Sequence, residues 1–572
     1  MSTTLQVYAN EDDVLLYWSV PAPIPGCRGF AINRRTTDAS GAVTDAVLPN
    51  RVGFASTTPP APDAVSQTEP STVWPFQRFS WTDHGAAQGD TLSYQVVPML
   101  RDSTGALVPM TDEASAWSAP LSMSAPEGTR FRPFFNRGFL ISQFMARYLA
   151  ENKLTPKQFK QGIDSADEEA IRAFLSGGLR TAMLELLRSA AGGTDEIYAA
   201  IYELSDNELV DALTTLGPRA HLVLSNGSVS AKGLGTAAAR QQDENAAARA
   251  KLLAASVDVG EHDRFIAPGA LGHNKFLVRT DAGGAPLATW TGSTNWTPTG
   301  LCTQLNNGLL IDDAAIGQIY LDQWHRLRDA ASTFPKTLVD SNSTAHAVPD
   351  SSGATVWFTR THQEVDLAAL KDVVDSATQG ILFLMFMPGS QGVLSYVQAR
   401  QNDPGLYVRG VVSSLPNGTG DESKVDVNLV NGGQSNQSTL DIIQPEGVEN
   451  AFANFAAEVT RKEFLSQVGY AIIHSKVLVI DPFSDHATVV TGSHNFSTSA
   501  SAKNDENFIV IKGDRALAEA YTVNIISAYE HYRWRAFLSQ DPSPFNGLED
   551  DDTWMAPKLA SSAADRAFFD LA

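Results

Sequence analysis

One pattern occurs twice in the chain, and this repeat constrains the fold more than any other feature. His-x-Lys followed by Gly-Ser-x-Asn is found in residues 272–296 and again in residues 473–496. The two histidines are 201 residues apart and the two Gly-Ser pairs are 200 apart. Equal order and nearly equal spacing indicate an internal duplication, in which each copy supplies one half of a larger unit.

The length agrees with several domains, because 572 residues are too many for one hydrophobic core. Strands alternate with helices around each copy of the pattern, which predicts an α/β sandwich with a mixed sheet in each half. The fold class is therefore α/β, with two duplicated halves preceded by a small all-β sandwich. The predicted divisions are a β-sandwich at 1–125, a first half at 126–350, a second half at 351–545 and an acidic, solvated C-terminal tail at 546–572.

Short strands separated by Gly, Pro and Asp turns predict the N-terminal sandwich. These strands are expected at residues 14–18, 30–32, 79–83 and 91–99. The early Trp18 and the late run 92–96 resemble a fibronectin type III module.

Helices are expected at 164–176 and 179–190, before the first repeat unit. Each half then follows the order strand, helix, strand, helix before its His-x-Lys pattern. The expected elements are strands at 196–204, 219–225, 380–387 and 406–412, and helices at 207–216, 236–255, 393–401 and 450–464. A polar stretch at 416–438 is predicted to be a loop.

Charge and cysteine content limit the function classes. The net charge is −22, and this acidity argues against a general nucleic-acid binder, whose surface should be basic. Two cysteines imply no disulfide framework, and neither a signal peptide nor an apolar span is visible. These features predict a cytoplasmic protein, although secretion without a signal stays open.

The repeated residue types suit a phosphate group. On a strand, alternation puts His474 and Lys476 on one face, and Asn495 adds a neutral donor. Two such sets facing each other would surround a phosphodiester, with lysines stabilising its oxygens. One imidazole could attack phosphorus while the other protonates the leaving oxygen. Because the lysines supply the positive charge, neither a metal nor another cofactor is expected.

These stretches closely resemble the phospholipase D superfamily, whose motif reads His-x-Lys-x4-Asp followed by Gly-Ser-x-Asn. The second copy fits fully, with His474, Lys476, Asp481, Gly492, Ser493 and Asn495. Glu506 matches a supporting acid that would orient and stabilise an active-site imidazole. The first copy departs at two positions, where Thr280 replaces the aspartate and Asn306 stands at the place of Glu506.

The resemblance implies a two-step reaction through a covalent phosphohistidine. It assigns His273 as nucleophile and His474 as acid and base, with the reverse assignment left open. The phosphate would be held by Lys275, Lys476, Asn295 and Asn495. Ser293 and Ser493 are second choices, because a Gly-Ser turn is often structural.

Three alternative functions are considered, two enzymatic and one without catalysis. The first is cleavage or transfer of a phospholipid head group, with peripheral membrane contact through the 416–438 loop. The second is a nuclease, which the acidic charge disfavours by repelling a polyanion. The third is a non-catalytic binding or scaffold protein, which two complete His/Lys/Asn sets disfavour. Because both copies lie in one chain, a monomer without stable nucleic-acid binding is expected.

Overall fold

The structure is a computed structural model of the chain. It describes residues 3–56, 68–138, 152–155, 158–159, 162–165, 168–259, 263–348, 353–389, 391–400, 403–413, 440–443, 473–538 and 547–569. The predicted loop at 416–438 and the predicted helix at 450–464 lie outside these residues. Across the described ranges, every helix falls short of the length or the apolar character that crossing a membrane requires.

The N-terminal region is a β-sandwich of one three-stranded and one five-stranded sheet, with a small two-stranded sheet beside them. Because side chains alternate along the strands, those of Leu16, Trp18, Phe30 and Tyr94 all point into one core between the two larger sheets. The likeness to a fibronectin type III module stays a prediction. The strands are β1 (Thr4–Ala9), β2 (Val14–Ser19), β3 (Cys27–Thr37), β4 (Val43–Val47), β5 (Pro49–Asn50), β6 (Glu69–Pro70), β7 (Ser80–Asp83), β8 (Thr91–Arg101), β9 (Leu107–Pro109) and β10 (Leu121–Ser122).

The first half is built on a six-stranded mixed sheet. Its elements are β11 (Phe131–Phe135), α1 (Glu169–Ala191), β12 (Glu196–Ile201), α2 (Asn207–Leu216), β13 (Ala220–Leu224), α3 (Thr236–Ala239), α4 (Ala246–Ala254), β14 (Lys275–Thr280), β15 (Pro286–Gly292), α5 (Pro298–Cys302), β16 (Asn307–Ile311), α6 (Ala314–Ala330) and α7 (Lys336–Asn342). The strand order is β11-β16-β15-β14-β12-β13, and only β12 and β13 pair in parallel.

The second half repeats this sheet and adds a strand at each edge. Its elements are β17 (His346–Ala347), β18 (Ala354–Phe358), α8 (Val365–Asp375), β19 (Gly380–Met385), α9 (Val393–Ala399), β20 (Tyr407–Val412), β21 (Leu440–Ile443), β22 (Val477–Ile480), β23 (Thr488–Gly492), α10 (Thr498–Lys503), β24 (Asn507–Lys512) and α11 (Arg515–Leu538). The order is β17-β18-β24-β23-β22-β19-β20-β21, so the inner strands match the first sheet one by one.

Alternating side chains of the central strands fill two different cores. In β22, Val477 and Val479 face a core shared with the first half, while Leu478 and Ile480 face α8 and α9. In β14, Phe276 and Val278 enter the same shared core. Long helices α6 and α11 contribute to it as well. The two sheets therefore lie on either side of one hydrophobic core, and the duplicated α/β architecture is confirmed.

Several expected elements end at different residues. The strand expected at 196–204 ends at Ile201, and the helix expected at 236–255 is divided into α3 and α4. The two helices expected at 164–176 and 179–190 form one element, α1, with a kink at Gly177, whose φ is 53°. A glycine accepts this backbone conformation without a steric clash, so the chain continues helically on both sides.

The predicted C-terminal tail is wrong as a description of residues 547–569. The acidic side chains at 549–552 are exposed, but the segments around them are packed. Trp554 and Met555 enter the core of the β-sandwich, and Phe568 and Phe569 enter the core between the halves. These residues form α12 (Met555–Ser561) and α13 (Ala563–Phe569). Burial of these large apolar side chains fixes the segment after the acidic run, while the acidic side chains themselves stay in water.

Candidate active site

Each His-x-Lys segment is joined to the backbone of the opposite half. The amide of His273 donates to the carbonyl of Asp505 (2.9 Å), and the amide of His474 donates to the carbonyl of Leu305 (2.9 Å). The histidines therefore lie just before β14 and β22, rather than within these strands as the alternating pattern predicts. Pairing across the halves brings both sets of motif residues to one interface.

The two halves exchange the residues that hold the imidazoles. His273 Nδ1–H donates to Glu506 Oε2 of the second half (3.0 Å). His474 Nδ1–H donates to Asn306 Oδ1 of the first half (2.8 Å). Glu506 and Asn306 occupy equivalent positions in the two copies, so each copy supports the histidine of the other.

Neighbouring groups fix the orientation of both supports. Asn306 Nδ2 donates to the carbonyl of Gly300 (2.8 Å), which directs its amide oxygen to His474. Glu506 Oε1 accepts a bond from Asn504 Nδ2 (2.9 Å), which leaves Oε2 for His273. Because both supports accept through oxygen, the proton of each neutral imidazole lies on Nδ1. The Nε2 atoms of His273 and His474 are therefore the basic atoms.

The lysines are buried beside the histidines. Lys275 Nζ donates to the carbonyl of His273 (2.7 Å) and lies 4.7 Å from the ring centre of Tyr202. Lys476 Nζ donates to the carbonyl of His474 (2.5 Å) and lies 4.8 Å from the ring centre of Phe386. An aromatic ring thus supports each ammonium group in equivalent places.

Burial and mutual repulsion control protonation here. Burial lowers the pKa of His273 to about 4, although Glu506 opposes the shift. Burial also lowers the pKa of Lys275 to about 7. Burial and the charges of both lysines hold the pKa of His474 well below its ordinary value. Although burial opposes ionisation of Glu506, the pKa of this carboxyl is lowered by His273. The free site therefore presents neutral imidazoles and weakly held lysine protons.

The Gly-Ser turns bring the motifs close to the neighbouring strand. A Cβ at Gly492 would collide with the carbonyl oxygen of Asn507, so only glycine fits there. Ser293 Oγ donates to Asn306 Oδ1 (2.8 Å), and Ser493 Oγ accepts from the amide of Asn507 (3.0 Å). Both serines therefore act within the scaffold of the site.

The two motif asparagines differ in their surroundings. Asn295 Nδ2 donates to Glu203 Oε2 (2.8 Å), whereas Asn495 is half-buried. Within the described part of the chain, the Oδ1 atoms of both side chains are buried without a hydrogen-bond partner. Buried polar atoms of this kind are rare and are often satisfied by a ligand or water.

Asp481 lies at the other end of β22 from His474. Its carboxylate accepts bonds from the amides of Thr378 (2.9 Å), Gln379 (2.7 Å) and Gly380 (2.8 Å). It therefore joins β22 to the start of β19 and is a scaffold residue. In the first copy β14 continues through Thr280, which pairs with Glu196 and explains why no aspartate is needed there.

Sequence reasoning missed three residues beside the lysines. Tyr202, Glu203 and Phe386 follow the first strand of each repeat, a region without a distinctive motif. Their signal is positional, since β12 and β19 end beside the His-x-Lys segments. The equal offset of Asn306 and Glu506 from their Gly-Ser turns was visible, but not which histidine each one supports.

Comparisons with known proteins agree with this arrangement. The family model described as cardiolipin synthase, PLD-like domain, matches residues 371–527. Phospholipase D of Rickettsia prowazekii (strain Madrid E) is 48% identical over 56 residues, which are 10% of this chain and 25% of that relative. The matched stretch thus spans about a quarter of the relative's length.

Two solved structures are similar at low sequence identity. Polyphosphate kinase from Porphyromonas gingivalis has a TM-score of 0.36 and 12% identity, covering 86% of this chain and 72% of that chain. Phosphatidylserine synthase of Haemophilus influenzae Rd KW20 has a TM-score of 0.38 and 12% identity, covering 69% of this chain and 92% of that chain. At these TM-scores the likeness carries no argument about activity.

The strand order and the exchanged histidine supports define a protein made of two copies of one α/β unit, with a single site at their interface. The domain match, the curated relative and the paired motifs agree on the family. Residues 371–527 match a phospholipase D-like domain, and the chain as a whole is similar to the phospholipase D superfamily.

Proposed function

We propose that this protein cleaves the phosphodiester of a phospholipid head group and transfers the phosphatidyl group to water or an alcohol. The observation that carries this proposal is that each half holds the histidine of the other half, with both lysines and both histidines close enough to interact electrostatically. A phosphodiester needs a nucleophile on one side and a proton donor on the other. The preference for a lipid over other phosphodiesters rests on the matched domain model and the relative.

His273 is the nucleophile in this proposal. Its Nε2 forms a bond to phosphorus while the bond to the head-group oxygen breaks, and the imidazole gains positive charge. The carboxylate of Glu506 stabilises that charge through Nδ1–H. The neutral Asn306 gives His474 no such charge, so His474 releases a proton more readily.

His474 moves the proton in both steps. The incoming phosphate anion raises the low pKa of His474 and allows its imidazole to carry a proton. That proton goes to the leaving head-group oxygen. His474 then accepts a proton from water or an alcohol, whose oxygen attacks phosphorus and releases His273.

The experiment uses the purified protein in chelator with mixed phospholipid vesicles and a short primary alcohol. We expect phosphatidyl-alcohol and free head group by mass spectrometry, and neither product from His474→Ala. The matched control is His486→Ala, because His486 is exposed in the turn between β22 and β23, at the end of β22 opposite to His474. Parallel digests with DNA and RNA test the nuclease alternative. Cleaved nucleic acid with unchanged lipid would contradict the proposal.

A further inference from the structure

Glu203 adds a carboxylate to the site that the family motif does not include. It stands two residues after β12, whose Ile201 pairs with Lys275 of β14. Its carbonyl accepts from the amide of Trp296 (3.0 Å), one residue after Asn295. Backbone pairing on both sides therefore fixes Glu203 between the His-x-Lys segment and the Gly-Ser-x-Asn turn.

The side chain of Glu203 points to the motif residues. Its Oε2 accepts from Asn295 Nδ2 (2.8 Å). Burial lowers the pKa of both Lys275 and Lys476, and the Glu203 carboxylate lies close enough to oppose that shift. The residue is half-buried, so part of it remains open to solvent. The neighbouring Asn295 has a buried Oδ1 without a hydrogen-bond partner among the described residues, so a ligand at this place could supply the missing donor.

Among the described residues of the second half, the position equivalent to Glu203 does not carry a carboxylate. Ile201 lies opposite Lys275, and the pairing of Leu384 with Val477 puts Met385 opposite Lys476. The residue equivalent to Glu203 is therefore Met387, which is 51% exposed. At this pair of equivalent positions, the first half carries a negative charge and the second half does not.

This charge changes what the site accepts. When all four groups are ionised, the charges of Lys275 and Lys476 are balanced by those of Glu506 and Glu203. Glu506 is engaged by His273, whereas Glu203 contacts a neutral amide. A phosphodiester brings a negative charge to the lysines, and a cation in the same molecule would balance Glu203.

We infer that Glu203 is a specificity residue that selects phosphodiesters whose alcohol carries an ammonium group. This inference rests on the proposed function and names its substrate class. The phosphate lies between the lysines, and the ammonium of the leaving alcohol lies against the Glu203 carboxylate. On this arrangement the first half recognises the head group, and the open side at Met387 faces the rest of the substrate.

The test measures competition within one membrane. Vesicles contain phosphatidylcholine and phosphatidylglycerol in equal amounts, so both lipids share the same surface. We expect wild type to prefer phosphatidylcholine, and Glu203→Gln to lower the preference, expressed as a ratio of kcat/KM, by about 10-fold or more. The loss on phosphatidylcholine should be in KM and should exceed any loss on phosphatidylglycerol, because weaker protonation of the lysines in the variant affects both lipids alike.

Two further variants separate selectivity from folding. Glu203→Asp keeps the charge and should retain part of the preference. Glu196→Gln is the matched control, because Glu196 lies at the opposite end of β12. Choline added as an inhibitor should inhibit wild type more strongly than Glu203→Gln.

The outcomes distinguish the two proposals. Equal losses of Glu203→Gln on both lipids would overturn the inference and make Glu203 a positioning residue for Asn295. Lipid turnover with an unchanged preference in the variant would also overturn it, and the proposed function would stand. If wild type cleaves neither lipid, the proposed function fails, and the inference fails with it.

Discussion

The two site histidines each donate a hydrogen bond from Nδ1–H, and their acceptors differ in charge. Glu506 gives His273 a carboxylate, and Asn306 gives His474 an amide oxygen. A carboxylate stabilises a developing imidazolium, whereas an amide mainly fixes the orientation of the ring. The difference supports separate roles for two residues that the repeat makes look equivalent.

Replacing the charged support should be the more damaging change. We expect Glu506→Gln to lower kcat by roughly 10²–10⁴-fold, since it keeps the hydrogen bond but removes the charge that stabilises His273. The matched variant Asn306→Asp keeps an acceptor oxygen and adds charge, and it should cost much less. Single-turnover kinetics on a soluble phosphodiester would measure both. Equal losses would contradict the assignment of His273 as nucleophile.

The acidic limb of the pH profile should report His273, and Lys275 should contribute to the basic limb together with the proton that His474 must carry. His273 attacks only when unprotonated, and burial lowers its pKa to about 4, so activity should rise as pH increases through that value. Lys275 stabilises phosphate only when protonated, and burial lowers its pKa to about 7, so activity should fall above it. We expect a bell-shaped dependence of kcat/KM on pH.

The variant Lys275→Arg tests the assignment of the basic limb. Because a guanidinium stays charged across this range, the limb should move to higher pH even if the maximum rate is reduced. A basic limb that does not move would assign it to another group.

At the scale of elements, paired strand ends carry the site. β14 and β22 present the motif residues at one end, and Asp481 secures the far end of β22 to the start of β19. Because Asp481 accepts bonds from consecutive backbone amides, its removal would leave buried donors without partners. Its place in the family motif therefore reflects folding of the strand pair rather than contact with phosphate.

Asp481→Ala should thus affect stability before chemistry. We expect a loss of about 2–4 kcal/mol in the free energy of unfolding, from several charge-assisted hydrogen bonds. The kcat of the folded fraction should stay near that of wild type at low temperature. Asp485→Ala is the control, because Asp485 is exposed on the following turn. Denaturant titration with parallel assays would measure both effects. A large loss of kcat with unchanged stability would contradict a scaffold role.

At the scale of the molecule, the halves are connected by buried polar contacts as well as by a shared core. Arg264 of the first half pairs with Asp505 of the second (2.7 Å), directly before Glu506. Asn307 Nδ2 donates to Thr491 Oγ1 (2.7 Å), and Thr291 Oγ1 donates to Asn507 Oδ1 (2.6 Å). These reciprocal bonds hold the supports in register with the opposite histidines. Misalignment of the halves would separate both pairs at once.

The C-terminal segment connects the β-sandwich to this body. Trp554 Nε1 donates to the carbonyl of Cys27 (3.0 Å), and its ring packs against Phe30 and Phe79. We expect Trp554→Ala to destabilise the protein by about 3–5 kcal/mol, with the largest effect in the sandwich. Asp551→Ala, at an exposed position, should have little effect. Hydrogen exchange read by mass spectrometry would locate the change. Unaltered protection of β2 and β3 would contradict this packing.

The sequence determined the class of fold and named the motif residues of the candidate site. Repetition of His-x-Lys and Gly-Ser-x-Asn reveals the duplication, because a repeat is visible without coordinates. The central strands can be predicted in the same way, because the spacing of their hydrophobic residues is visible in the sequence. His273, His474 and both lysines could be named at this stage. Element ends were less accurate, since caps and kinks such as Gly177 depend on neighbouring elements.

Only the tertiary structure decided which residues act together. Glu506 supports the histidine of the other copy, and Glu203 reaches Asn295, because strands far apart in sequence end at one interface. The acidic run near the C-terminus looked solvated, but the aromatic residues after it are buried in two cores. In each case the decisive energy comes from burial and hydrogen bonds between distant segments, and no local pattern of side chains encodes those contacts.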